Sequence, residues 1–413
     1  MGFQSGLSGL NAAAKNIDII GNNVANANTV GFKNSRAIFA DVFASSLAGT
    51  GSANVGIGVK VAQVQQEFTQ GNVTVTNNPL DIAINGPGFF RFENTTGTTA
   101  YSRNGQMHLD SGGYLVNADN LRLTGFAADA SHNIVTSAAA PLQLATSDIS
   151  PRQTANMNAT LNLDSRATPI SAAFNATNAA TYTSSTSTAV YDSLGNSHAF
   201  TMYFAKTPTA GEWNVQASLD GGPVSDIDLG AGAGNPVTLA FNSSGALTTA
   251  QPLTGMTMAI GNGAVTPQTL EIDFTGTTQF GAEFGASALS QDGYTSGRLV
   301  GFDIVDNGTI FGRYTNGQAN MLGQIVLGNF ANPQGLRSIG NNLWEETAAS
   351  GSVVMGAPLT GSLGSLQSAA VEDSNVDLTQ ELVNMITAQR VYQANAQTIK
   401  TQDQVLQTIV NLK

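Results

Sequence analysis

GNNVANANTVGFKNS, residues 21–35, is the stretch whose reading decides the fold. It closes a segment in which Phe3, Leu7, Leu10, Ala14, Ile17, Gly21 and Val24 follow alternating steps of four and three. That spacing is a heptad seam and predicts an amphipathic helix. Gln4, Asn11, Lys15, Asn16, Asn22 and Asn26 occupy the other face. Asparagine and glycine are poor in helix interiors and good at helix ends, where both tolerate left-handed backbone. The asparagine-rich run therefore ends the helix and turns the chain, with Phe32 placed to anchor the turn.

The far end of the chain repeats the pattern. Leu378, Leu382, Met385, Gln389, Tyr392, Ala396, Ile399, Asp403, Leu406 and Val410 follow the same steps. Asp377 followed by Gln380 is a capping-box pattern that starts this helix. No glycine or proline interrupts Leu378 to Lys413, so the helix would be about 50 Å long at the usual rise. Gly21, Gln389 and Asp403 weaken the stripes, and helices with such stripes are marginal alone. They either lie on a domain surface or pair as a coiled coil whose outer faces meet copies of the same chain.

Between the helices the texture is β. Residues 59–77 alternate and are rich in β-branched side chains, and DIAINGPGFFRFEN (81–94) reads as strand, turn and aromatic strand. Turns are expected at Asn104-Gly105, Gly112-Gly113, Ser193 to Asn196, Asn262-Gly263, Asn307-Gly308 and Asn316-Gly317. A shift to Ala, Ser, Thr and Asn over 135–190 marks an inner boundary. Residues 150–284 hold three basic side chains against nine acidic ones, and read as a separate, acidic β domain. AGTGSANVGIG (48–58) reads as a connector.

The 413 residues suggest two to four domains. Only 11% of residues are charged, and the net charge of −12 argues against nucleic acid as a partner. The absence of cysteine excludes disulfides, thiolate metal sites and cysteine nucleophiles. No apolar run is long enough to span a bilayer. The amino terminus has no basic region before an unbroken apolar stretch, so no cleaved secretory signal is expected.

Little in the sequence carries catalytic chemistry. There is no nucleophile elbow, Walker motif or dinucleotide fingerprint. GAGAGN (230–235) reads as a loop. The pairs Asp226/Asp228 and Glu271/Asp273 would put both carboxylates on one strand face, as a glycosidase or calcium site would need, but no further ligands cluster nearby. They read as solvated strand faces. His108, His132 and His198 are dispersed, and His198 continues the register of Phe200, Met202 and Phe204, which suits a structural histidine. We expect no enzyme activity, cofactor or metal.

NAAAKNIDIIGNNVANANTVGFK (11–33) resembles the amino-terminal signature of the bacterial flagellar rod and hook family. The other landmarks stand in the family's order: FADVF (39–43), DIAINGPGFF (81–90), YSRNGQMHLD (101–110), LGQIVLGNFANPQGLRSIGNNLWEET (322–347) and the run VEDSNVDLTQELVNMITAQRVYQ onward (371–412). The resemblance covers about 1–145 and 285–413. Asn22, Asn23, Ala25, Asn26, Gly31 and Phe32 carry its first motif. It implies a multidomain fold in which paired terminal helices, a coiled coil of residues 1–29 and 363–413, line a central channel. A connecting region (30–75 and 358–362) and a middle, mainly antiparallel β domain (76–149 and 285–357) follow. The outer β domain, 150–284, is inserted into the middle one.

The insert points to the hook branch of the family. There, subunits polymerise helically through the terminal helices into a short, curved, hollow tube. The tube is a universal joint that carries torque from motor and rod to filament. The implied partners are the chain itself, the distal rod, the hook cap, the hook–filament junction and the flagellar type III export apparatus, with an extracellular location reached without a cleaved signal. A distal rod protein with an insertion is the nearest alternative. A secreted glycan-binding or glycan-cleaving β protein is the alternative from another class.

Overall fold

The computed structural model describes residues 2–42, 56, 58–129 and 131–411, and most of the expected connector at 48–58 lies outside them. The chain divides into two compact units. One holds residues 1–146, 301–313 and 319–413; the other holds 147–300 and 314–318. The fold is multidomain, with a helix at each end and mostly antiparallel β-structure between.

In the first unit, helix α1 spans Gly2–Ala25 and helix α2 spans Leu378–Asn411. The asparagines at 22 and 23 sit within the last turn of α1 rather than after it. Asp377 caps α2, its Oδ1 accepting the amides of Thr379 at 2.9 Å and Gln380 at 3.1 Å. The reciprocal arm of the capping box is replaced, because Gln380 donates to Asn384 instead. Strands β1 (Ser35–Val42) and β2 (Gly58–Gln66) form an antiparallel hairpin that packs on α1.

The returning chain then pairs with the outgoing chain. Ser365–Ser368 pairs with Ile82–Asn85, and Ala370–Glu372 pairs with Val73–Val75. Residues 363–377, expected with the terminal helices, are therefore strand and loop, and the helix waits for the Asp377 cap. The remaining strands of this unit build one larger sheet. Its core holds Ile82, Ile84, Phe90, Phe92, Leu123, Ile310, Ile325 and Leu327. A separate aromatic cluster joins Phe89, Tyr101, Phe330 and Trp344, with Phe68 edge-on to Phe89 and Trp344 at 5.4 Å.

The second unit is a two-sheet sandwich. One sheet orders the strands Ser184–Tyr191, Ser197–Lys206, Glu212–Leu219 and Val237–Ala240. The other orders Ile227–Asp228, Leu253–Met258, Gln268–Asp273, Asn156–Asn162 and Gly285–Gln291, with one parallel pairing, between 156–158 and 271–273. Alternation at period two puts Phe200, Met202, Phe204, Trp213, Val215, Leu270, Ile272 and Phe274 into one core. Gly285–Gln291 pairs with Asn156–Asn162, so the unit runs further along the chain than the expected 150–284. The expected hairpin turn at 193–196 joins Ser184–Tyr191 to Ser197–Lys206.

Candidate assembly surface

The two terminal helices lie antiparallel, and small residues let them approach closely. A Cβ at Gly6 would stand 3.1 Å from Ile399 Cγ1, and one at Gly9 would stand 2.8 Å from Asn395 Oδ1. Further along, Asn23 Nδ2 faces Glu381 Oε2 at 3.5 Å. Ala12, Ala13, Ile20, Asn23, Glu381 and Ala388 are buried on this side. The seam read from the sequence is a different one. Of its members, Ile399 packs against α1, whereas Phe3 (45% exposed), Leu7 (44%), Leu378 (42%), Leu382 (50%), Tyr392 (37%) and Leu406 (51%) face outward.

Leu10, Ala14, Ile17, Val24, Met385 and Ala396 are half-buried, and the Val410 side chain lies outside the described residues. Periodicity finds the large side chains; which face meets the neighbouring helix is decided by close approach, and Gly6, Gly9 and Ala13 permit that. Val383, Ile386, Val391 and Val405 are also exposed, at 48–53%, and lie off the stripe read from the sequence. A solvent-facing array of this kind is costly, since fully burying one Leu or Ile gains about 1.5–3 kcal/mol. A groove of about 980 Å³ opens beside it, between α1, the β1–β2 hairpin and α2, with Ala12, Ala37, Phe39, Ala388 and Val391 among its lining.

Below the helices, the first family motif is wired into the β-structure. Asn23 is 1% exposed and takes both hydrogen bonds of Ser35, donating to its carbonyl at 2.8 Å and accepting its amide at 2.9 Å. Asn26 donates to the Asn22 carbonyl at 2.9 Å, and Asn22 and Ala25 are exposed. Gly31 has φ +71°, and a Cβ there would stand 2.6 Å from the Asn104 amide nitrogen, so only glycine fits. Phe32 is buried.

Next to it stands a cluster that periodicity could not reveal. Lys33 and Glu372 are both fully buried and pair at 2.6 Å. Arg103 meets the other carboxylate oxygen at 3.3 Å. Burial pulls the Lys33 ammonium below its ordinary pKa, with the Glu372 carboxylate opposing it, and burial pulls Arg103 down in the same way. The available signal was a single basic residue in GFK and in YSRNG and the acidic pair Glu372-Asp373 in VEDSN, all in weakly charged surroundings.

Three of the candidate chemical residues have structural partners. Asp228 accepts the amides of Gly230 and Gly232 and so caps the glycine-rich loop. Asp273 accepts the Thr275 amide at 2.8 Å. His198 bridges Asp220 at 2.7 Å and Asp192 at 3.3 Å. Among the described residues, no group of three or more His, Cys, Asp or Glu side chains is placed to hold a metal ion, and no helix is long and apolar enough to cross a membrane.

Terminal helices paired with each other and apolar on their outer faces lead into β units, an arrangement that fits a flagellar axial protein, and comparison with known proteins shows that class. Family models match at residues 3–33 (flagella basal body rod protein), 83–173 (flagellar hook protein FlgE/F/G D1 domain), 156–294 (flagellar basal body protein FlaE D2 domain) and 367–412 (flagellar basal body rod FlgEFG protein C-terminal). The chain is 43% identical to the flagellar hook protein FlgE of Escherichia coli over the whole of both chains. It is 32% identical to that of Borreliella burgdorferi, over 99% of this chain and 98% of that one. In fold it is similar to the crystal structure of Helicobacter pylori flagellar hook protein FlgE2, with a TM-score of 0.54 and 14% identity, over 71% of this chain and 99% of that one. The chain belongs to the flagellar hook protein FlgE family, and it is a structural subunit of the flagellar hook.

Proposed function

We propose that this subunit polymerises helically through α1 and α2 into a hollow, curved tube that works as a universal joint. The observation that carries this reading is the outward apolar face of the helical pair: Leu7, Leu382, Ile386 and Leu406 are all 44–51% exposed. Neighbouring copies would cover those side chains, and the helices would then line the channel. The inserted β unit would face outward, where weakly charged surfaces rich in Ser, Thr and Asn suit wet, sliding contacts between copies. In this reading the subunit leaves the cell through the flagellar type III channel without a cleaved signal, and works outside it. It meets the distal rod below and the hook cap, then the hook–filament junction, above.

The test is Leu382→Asp. Burying an unpaired carboxylate costs several kcal/mol, and each added subunit repeats that cost. Electron microscopy of the strain should find no hooks, while the purified chain keeps the circular dichroism of its β-structure. Normal hooks on swimming cells would sink the proposed packing.

A further inference from the structure

Asn-Gly pairs turn hairpins, and they are also where an asparagine side chain cyclises most readily, because glycine puts no Cβ beside its own nitrogen. The chain has five, at 85–86, 104–105, 262–263, 307–308 and 316–317. Four are protected. The amides of Gly86, Gly308 and Gly317 donate to Gln70 Oε1, the Val305 carbonyl and the Tyr314 carbonyl at 2.9–3.0 Å. Gly105 is buried, and a Cβ there would stand 1.7 Å from the Ile82 carbonyl oxygen.

Gly263 differs. It is exposed, its amide has no hydrogen-bond acceptor among the described residues, and nothing lies within 4 Å of a Cβ built on it or on Gly261. The backbone on both sides of Asn262 has room to move, while its side chain is aimed. Asn262 Nδ2 donates to Asp192 Oδ2 at 2.5 Å, and its Oδ1 accepts the Ala264 amide at 3.1 Å. The same Asp192 oxygen accepts from His198 Nε2 at 3.3 Å, and His198 Nδ1 meets Asp220 Oδ2 at 2.7 Å. Those two carboxylates are the charged groups that face the ring. An ionised carboxylate only accepts, so a ring with one at each nitrogen is held as the imidazolium. One carboxylate oxygen thus stands between an acid and the Asn262 amide nitrogen.

We propose that Asn262-Gly263 is a self-modifying site, at which Asp192 relays a proton from His198 to the departing side-chain amide. The Gly263 nitrogen gives up its proton to solvent base and attacks Asn262 Cγ, forming the C–N bond of a succinimide. The Cγ–Nδ2 bond breaks and its electron pair stays on Nδ2. That nitrogen takes a proton from Asp192, which His198 replaces, and leaves as ammonia. Water then adds to one carbonyl of the succinimide and reopens the ring as aspartate or isoaspartate. Nothing is oxidised or reduced. Asp192 touches the departing atom; His198 acts through it. The new carboxylate faces that of Asp192, which is 0% exposed, where an N–H had bridged the gap. Asn262 lies in the loop between Leu253–Met258 and Gln268–Asp273, and Asp192 in the turn after Ser184–Tyr191, so the change cuts a tie between the two sheets of the sandwich. It runs one way and marks the age of a subunit.

The test incubates native tubes in water enriched in heavy oxygen and maps their peptides by mass spectrometry, since each conversion takes up oxygen from water. Asn262 should convert about tenfold faster than the asparagine of any other Asn-Gly pair, the others having a hydrogen bond or packing to open first. As pH rises, the other four should keep accelerating while Asn262 levels off, because His198 loses the proton it supplies. His198→Gln should slow Asn262 about tenfold and leave the other four unchanged. A merely structural histidine predicts the opposite sign, since a loosened loop cyclises faster. Conversion at Asn262 no faster than elsewhere in the parental tubes would overturn the proposal, and that comparison needs no variant to fold. Equal or faster conversion in His198→Gln would overturn the relay.

Discussion

The helical pair and the inserted sandwich use their large side chains in opposite ways. The sandwich hides Trp213, Phe200, Phe204 and Phe274 completely. The helices bury glycine, alanine and asparagine against each other and turn Phe3, Leu7, Leu382 and Leu406 outward. One region has satisfied its hydrophobic requirement within the chain. The other has not, and its stability waits on neighbours. On the proposed reading, the first folds alone and the second is completed by assembly.

The largest test of this contrast removes the sandwich. The Ile149 amide donates to the Gly297 carbonyl at 2.8 Å, so the ends of the insert are adjacent. Deleting 150–296 behind a short linker should leave a chain that folds and polymerises. If the sandwich is outermost, as proposed, electron microscopy should find straight tubes. Curved hooks would place the origin of curvature in the helices or the remaining β body, and absence of tubes would make the sandwich an assembly element.

A smaller intervention empties the sandwich core. Trp213→Ala should destabilise that unit by about 3–5 kcal/mol in calorimetry and leave tube formation intact at low temperature. Coupled loss of assembly would break the contrast. Gly31→Ala acts on the other region. At φ +71° and against the Asn104 backbone it should cost roughly 1–3 kcal/mol, read as earlier proteolysis within 26–75 while the sandwich transition stays put.

The smallest effect is one of pH, at one end of the sandwich. Burial disfavours charge on Asp192, yet hydrogen bonds from Asn196, Asn262 and His198 outweigh it and hold the carboxyl well below its ordinary 3.8. Burial likewise opposes charge on His198, and Asp220 and Asp192 overcome it, raising the imidazole above its ordinary 6.5. The carboxylate contribution is present above 3.8 and lost as pH falls through the depressed value. The histidine contribution is complete below 6.5 and lost as pH rises through the raised one. The sandwich should therefore be most stable between about pH 4 and 6.5. His198→Gln should flatten the alkaline side of a melting-temperature profile; an unchanged slope would remove His198 from the account.

Much of this was legible in the sequence. Heptad steps located both helices, Asp377 marked the start of α2, and turns at 112–113, 193–196 and 316–317 located hairpins, because each of these signals is local; the turn expected at Asn104-Gly105 joins two strands that pair elsewhere. The face that joins the helices was not legible, since Gly6, Gly9 and Asn395 form no apolar stripe and declare themselves only when paired. Nor was the Lys33–Glu372–Arg103 cluster: its members are 339 and 269 residues apart in the chain, and nothing in local composition connects them. The end of the insert was missed for a similar reason. Gly285–Gln291 has a weak strand pattern and takes its place from a partner strand at Asn156–Asn162.

The pairing of Ala370–Glu372 with Val73–Val75 also sets a timetable. Among the described residues, Val73–Val75 has no other strand partner. The Lys33 ammonium, the Asn34 amide and α1 all rest on contacts supplied by the last tenth of the chain. A polypeptide delivered amino terminus first must keep its opening segment unfinished until its final segment arrives. Its sandwich, whose strands all lie between residues 156 and 291, is free to close long before. The subunit thus carries its own end-of-message signal, and an incomplete copy has no finished surface to offer a growing polymer.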